Sequence, residues 1–298
     1  MAHQRKPSLG LVDYSDSEDD DDSKPTAAGS SQPAPSTSES LPPLPSKFYD
    51  LYTAAPRLTK EDDPEAHGGR HRAIPHIEGN WPTHLYFEWH LTTPELGQVG
   101  RLLQVAAEAI GNYEKFHNDE KFKLESFLYS DLGTQLPLHI SMSRPIVLRT
   151  EERDGFMAEL ERVVERSGVQ SFDVRFTSLE WVPNQDRTRW FWVMRATSPA
   201  SGQHRQTLLS SLLTACNQVV RSHNQPELYL TDSRGATREG FHVSIGWSLT
   251  EPSKGLCEGI SAAILNNRPE LSDLTMKCGT LKVKIGNAVH AVELRRPF

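Results

Sequence analysis

From Thr83 to Leu91 apolar and polar residues alternate, with Leu85, Phe87, Trp89 and Leu91 on one side. That period of two predicts a half-buried strand. Val99 to Ile110 changes to the three-to-four spacing of a helix. Alternation returns from Leu136 to Met142, and Thr150 stands where it would cap a helix whose apolar positions are Phe156, Leu160, Val163 and Val164. Strands are predicted at 171–182 and 189–196. A helix follows from Gln203 to Ser222, with Leu208, Leu212, Ala215 and Val219 on one stripe. A strand at 241–248, a helix at 253–266 and closing strands at 274–285 and 288–294 complete the pattern.

A strand–helix–strand–strand order thus occurs twice, centred on residues 136–196 and 241–294. It predicts an α/β fold of two pseudo-symmetric lobes, each a largely antiparallel sheet with helices, and a catalytic cleft between them. This body is expected to span residues 81–298. Ahead of it, residues 1–46 combine the acidic run Asp16–Asp22 with a stretch rich in Pro, Ser, Thr and Ala. Such composition buries too little apolar surface to offset ordering entropy, so a disordered tail is expected. Residues 47–80 read as an irregular arm rich in Pro, Gly and His.

The chain carries a formal charge of −7 over 298 residues. The tail holds eight acidic and three basic residues, so the remainder is close to neutral at −2. A protein that grips a long phosphate backbone is usually basic; a near-neutral body suits a ligand held by a few nucleotides or one chain end. No apolar run approaches the roughly 18 residues of a membrane span, so no membrane partner is expected. Cys216, Cys257 and Cys278 are odd in number and widely spaced. They suggest neither a disulfide framework nor a zinc ribbon, and a reducing compartment fits.

The chemistry lies in two short repeats. His139-Ile140-Ser141 falls inside one predicted strand and His242-Val243-Ser244 inside another. Residues two apart share a strand face, so each His lies beside its own Ser while Leu138, Ile140, Phe241, Val243 and Ile245 turn to the core. One such motif is an ordinary surface pair. Two copies in matching contexts, 103 residues apart, offer two imidazoles and two hydroxyls to one ligand. Imidazole titrates near neutrality, so the pair can serve as base and acid in one turnover. Hydroxyl donors suit the non-bridging oxygens of a phosphate. No metal or other cofactor is required. His67, His71 and His76 cluster without a Cys partner or a fixed tetrahedral spacing. Trp181, Trp190 and Trp192 read as core. Arg187 and Arg189 read as surface salt links, with a phosphate contact as the sharper alternative.

The paired motifs resemble the two-histidine phosphoesterase superfamily. More specifically, His67-Gly68-Gly69-Arg70, Pro75-His76, Gly79-Asn80-Trp81 and Thr83-His84 resemble the N-terminal segment of the U6 snRNA phosphodiesterase family. Leu138-His139-Ile140-Ser141 with Val147-Leu148-Arg149, Asn184-Gln185-Asp186 with Thr188-Arg189 and Phe191, and Phe241-His242-Val243-Ser244 with Trp247 resemble its later motifs. The likeness covers residues 60–298. It implies a nuclear, monomeric enzyme that trims the oligouridine 3′ end of U6 RNA in the 3′→5′ direction. It implies His139 and His242 as catalytic, with Ser141 and Ser244 as phosphate donors. Gln185, Tyr229, Gly240 and Phe241 are implied substrate contacts, Tyr229 as a base-stacking ring. The loop Leu230–Gly240, with Ser233-Arg234-Gly235-Ala236, is longer than the family pattern. Two alternatives stand beside this reading: a 2′,3′-cyclic phosphodiesterase or RNA-ligase-like enzyme of the same superfamily, and a non-catalytic RNA-binding module.

Overall fold

The computed structural model describes residues 77–116, 121–130, 132–200, 207–229, 240–267 and 271–296. The expected tail, most of the arm, His67, His71, His76 and the loop 230–239 lie outside them. The described residues form strands β1 (Asn80–Trp89), β2 (Glu125–Ser126), β3 (Leu138–Ser141), β4 (Ile146–Arg149), β5 (Phe172–Pro183), β6 (Trp190–Thr197), β7 (His242–Ser248), β8 (Thr275–Cys278), β9 (Thr280–Ile285) and β10 (Ala288–Glu293). Their helices are α1 (Thr93–Phe116), α2 (Arg153–Ser167), α3 (Leu208–Ser222) and α4 (Lys254–Asn267).

The helices begin where local hydrogen bonding allows. Ahead of α1, the Thr92 backbone N–H donates to Glu95 at 2.7 Å, so the helix starts a turn and a half before its apolar stripe. Thr150 does not cap α2. Its hydroxyl accepts from Trp81 Nε1 at 3.0 Å, and the chain makes a 3₁₀ turn before the helix starts at Arg153. Thr207 caps α3, accepting from the Ser210 N–H. That helix buries Leu209, Leu213, Cys216 and Val220 as well as Leu212, Ala215 and Val219 of the expected stripe, while Leu208 is half-buried.

The strands join in the order β10-β9-β1-β3-β7-β6-β5-β8, with β4 on β1 and β2 on β7. Every ladder between them is antiparallel. The two halves are therefore β10-β9-β1-β3 and β7-β6-β5-β8, and the β3–β7 ladder fuses them along a seam. The strand expected at 274–285 is two strands broken at Gly279. β8 pairs with β5 in one half and β9 with β1 in the other; with only Gly279 between them, the sheet curls until these two strands stand next to each other. One face of the seam is core: Leu85, Ile140, Val243 and Ile245 are each 0% exposed. Full burial of such side chains stabilises by roughly 1.5–3 kcal/mol each. The opposite face carries the polar residues.

Candidate active site

The seam sets the geometry. Ile140 pairs directly with Val243 in an antiparallel ladder. Ser141 therefore lies opposite His242, and His139 opposite Ser244. The two motifs are related by a local twofold through the Ile140–Val243 pair. With both aliphatics in the core, both imidazoles and both hydroxyls project from the other face. The motifs stand side by side on adjacent strands, about 4.8 Å apart, rather than on separate sheets facing across a gap. His139 is exposed, and His242, Ser141 and Ser244 are half-buried.

Each imidazole has its own surroundings. His242 Nδ1 lies 2.5 Å from the Gly240 carbonyl oxygen. A carbonyl has no proton to give, so Nδ1 carries the hydrogen and Nε2 of the neutral ring keeps its lone pair. The same carbonyl accepts from the Tyr229 hydroxyl at 2.7 Å and from Arg195 Nη1 at 3.2 Å. Arg195 is held in turn by Glu180, its Nε donating to Oε2 at 2.7 Å. Burial lowers the His242 pKa most. The Gly240 hydrogen bond opposes this, nearby Arg195 adds to it, and Glu180 opposes it again. The His139 pKa is also lowered, first by desolvation and then by the facing His242, while the carboxylate of Glu88 pulls it back up. Glu88 is the cross-strand partner of His139.

Three residues of this face come from the polar side of β1. His84, Tyr86 and Glu88 alternate with the buried Leu85, Phe87 and Trp89. His84 Nε2 is 3.1 Å from Ser141 Oγ. Its ring stacks on Tyr86 at 5.3 Å and meets His139 edge-on at 5.6 Å. Burial, His139 and Lys284 bring the His84 pKa down to about 4, so it is neutral near pH 7. The signal for these residues was the other half of the alternation that identified β1.

Among the expected substrate contacts, Gln185 projects from the β5–β6 turn, where Asn184 Oδ1 accepts from the Thr188 and Arg189 N–H groups at 2.8 and 3.1 Å. It accepts a hydrogen bond from Arg144, three residues beyond Ser141, so the turn reaches the loop after β3. Tyr229 takes a left-handed backbone conformation, φ 50°. Its hydroxyl is tied to Gly240, beside His242. The Phe241 side chain is 2% exposed and packs edge-on against Tyr229 at 5.5 Å, so the ring supports Tyr229 from the core. Alternation dictates this, since Phe241 shares the face of Val243. Arg187 makes the surface salt link, 2.6 Å to Glu251, and Arg189 stacks over Trp247 at 4.3 Å.

Two matched His-x-Ser strands thus meet at the seam of one antiparallel sheet, the arrangement that the resemblance to the two-histidine phosphoesterase superfamily implies. Comparison with known proteins narrows the class. Residues 42–293 match the family model HVSL, described as an uncharacterised conserved protein. A Neurospora crassa protein named U6 snRNA phosphodiesterase 1 is 33% identical over 290 residues, covering 88% of this chain and 77% of its own. The Drosophila melanogaster protein of that name is 27% identical, covering 73% and 74%. The Homo sapiens one is 26% identical, covering 69% and 64%. The solved structure of Kluyveromyces marxianus Usb1 with uridine monophosphate shares the fold, with a TM-score of 0.52 at 18% identity, covering 72% of this chain and 98% of that one. The chain belongs to the U6 snRNA phosphodiesterase family.

Proposed function

We propose that this protein is a metal-independent 3′→5′ exoribonuclease that trims the oligouridine end of U6 snRNA. The observation that carries the reading is the Ile140–Val243 register, which sets two imidazoles and two hydroxyls on one open face. The names of the relatives supply the substrate class. One imidazole takes the proton of the penultimate 2′-hydroxyl, and the oxygen attacks the adjacent phosphorus in line. The other protonates the departing 5′-oxygen of the last nucleotide. The Nδ1–H of His242 is committed to Gly240, which leaves its Nε2 for proton transfer. Ser141 and Ser244 donate to the non-bridging oxygens. The shortened RNA ends in a 2′,3′-cyclic phosphate, which water opens to a monophosphate when the roles reverse. The 2′-hydroxyl requirement selects RNA over DNA. Tyr229 and Gln185 hold the terminal nucleotide, on the β7 side of the seam, and a nuclear site of action follows from the substrate.

The test is cleavage of oligouridine in excess chelator. Turnover unchanged by EDTA is expected. Loss on chelation with recovery on adding zinc or magnesium contradicts the metal-free mechanism and returns attention to His67, His71 and His76.

A further inference from the structure

The face that holds the motifs does not end at the seam. Ser141 pairs with Tyr86, Tyr86 with Lys282, and Lys282 with Ala291. On the other side of Ser141 come His242 and its partner Arg195. Cross-strand partners project from the same face, so these residues form one row across six strands. A parallel row beside it runs from His84 to Lys284 and Val289. Strand spacing puts the Lys282 backbone about 10 Å from that of Ser141. Tyr86, Lys282 and Lys284 are half-buried, and strand alternation turns their side chains to the face that holds the motifs.

Charge is distributed unevenly along this face. On the His139 side lie Glu88, and Glu293, which accepts from Thr280 at 2.8 Å. On the other side lie the two lysines and the neutral His84. A polyanion leaving the seam toward β9 is repelled by the first side and drawn along the second. Tyr86 and His84, stacked with an interplanar angle of 21°, add a rigid aromatic surface between the seam and the lysines. Aromatic and cationic residues in this alternation are what single-stranded RNA binding uses.

We propose that Tyr86, Lys282 and Lys284 form a subsite for the RNA segment 5′ of the scissile phosphate, with Tyr86 carrying a base or ribose and the lysines carrying upstream phosphates. The inference rests on the phosphodiesterase reading, which places the terminal nucleotide on the β7 side and sends the rest of the strand across β1 and β9. The enzyme then measures a short single-stranded tail rather than a single nucleotide. This suits the near-neutral body, since two lysines suffice for two phosphates.

The test compares the dinucleotide UpU with pentauridylate, and adds binding of a pentamer carrying 2′-deoxyuridine at the penultimate position. In the wild-type protein, kcat/KM for the pentamer exceeds that for UpU at least tenfold. In the Lys282→Gln, Lys284→Gln double variant that ratio collapses toward unity, while Lys282→Arg restores most of it. The salt dependence of pentamer binding loses about 0.7 in log–log slope per lysine removed. Tyr86→Leu weakens pentamer binding roughly five- to hundredfold, the effect of one lost stacking contact. Because the ratio is internal to each variant, a partly unfolded fraction cancels. An unchanged ratio and an unchanged salt slope in the double variant overturn the subsite. Lysine-dependent binding of the pentamer without cleavage of either substrate supports the subsite and removes the phosphodiesterase reading instead.

Discussion

His139 and His242 share a face and a register, yet their neighbours differ: Glu88 stands opposite the first, and the Gly240 carbonyl and Arg195 beside the second. Either His→Ala change is expected to lower turnover by about 10²–10⁴-fold, the usual worth of a lost proton-transfer group. The double variant should cost less than the product, since the two act as a unit. Ser141→Ala or Ser244→Ala should cost roughly tenfold, as one donor among several. Normal turnover in either His variant contradicts the site. The pH profile tests the electrostatics. Both imidazole pKa values are lowered from 6.5 in the free protein. The form with one neutral and one protonated ring is therefore most populated below pH 6.5, and kcat/KM should peak there. Bound phosphate favours protonation of both rings, so the kcat profile should lie at higher pH than the kcat/KM profile. A kcat/KM maximum near pH 8 contradicts these shifts. His84 bears on stability: with a folded pKa of about 4, the unfolded chain takes the proton first. Its contribution is full above pH 6.5 and is lost as pH falls toward 4. His84→Gln should flatten the pH dependence of Tm over that window.

At the scale of elements, β7 depends on two glycines. A Cβ on Gly240 would stand 3.0 Å from Tyr229 Cε1 and 3.4 Å from Arg195 Nη1. Gly240→Ala should therefore move the Tyr229 ring and raise KM more than it lowers stability. A Cβ on Gly246 would meet Leu124 Cδ1 at 2.8 Å and the Glu125 carbonyl at 2.9 Å, where β2 closes on β7. That carbonyl belongs to the ladder and cannot give way. Gly246→Ala should cost about 1–3 kcal/mol, seen as a Tm lowered by several degrees with KM little changed. A Gly246→Ala protein as stable as wild type would show that β2 is loosely held. Much of this level was legible in the sequence. Alternation placed His139, Ser141, His242 and Ser244 on a polar strand face because a period of two needs no knowledge of partners. The same reasoning, applied to the polar side of β1, yields His84, Tyr86 and Glu88. It also sends the Phe241 ring inward. The grouping of Arg195, Tyr229 and His242 on the Gly240 carbonyl was not legible. It depends on the β6–β7 register and on a left-handed Tyr229, and no local pattern encodes either.

For the whole molecule, the doubled strand–helix–strand–strand order pointed to two related halves, and the sheet has them. What the pattern concealed was the exchange between them. The closing strand expected at 274–285 is cut at Gly279, and its parts pair at β5 and β1, in opposite halves. Both halves must therefore assemble before either sheet is complete. The β3–β7 seam that joins them also carries the candidate site, so on the proposed mechanism fold and site stand or fall together. The strands that carry the seam and its described partners all lie between Asn80 and Glu293, beyond the acidic tail expected at residues 1–46. Deletion of residues 1–46 should leave turnover of a short oligouridine nearly unchanged, and a large fall would show that the tail contributes to the site.

On the proposed mechanism the 2′-hydroxyl of the penultimate ribose is the nucleophile, activated and answered by the two imidazoles on the seam. The direct measurement uses oligouridine with a single 2′-deoxy residue, at the penultimate or at the terminal position, with mass analysis of the shortened RNA. Removing the penultimate hydroxyl takes away the nucleophile but leaves the phosphate and nearly every binding contact. That substrate should bind and resist cleavage, whereas the terminal-deoxy substrate should still be trimmed, leaving a 2′,3′-cyclic phosphate or a monophosphate. Cleavage of the penultimate-deoxy substrate to a 3′-hydroxyl would mean that water attacks directly and that His139 and His242 serve another purpose.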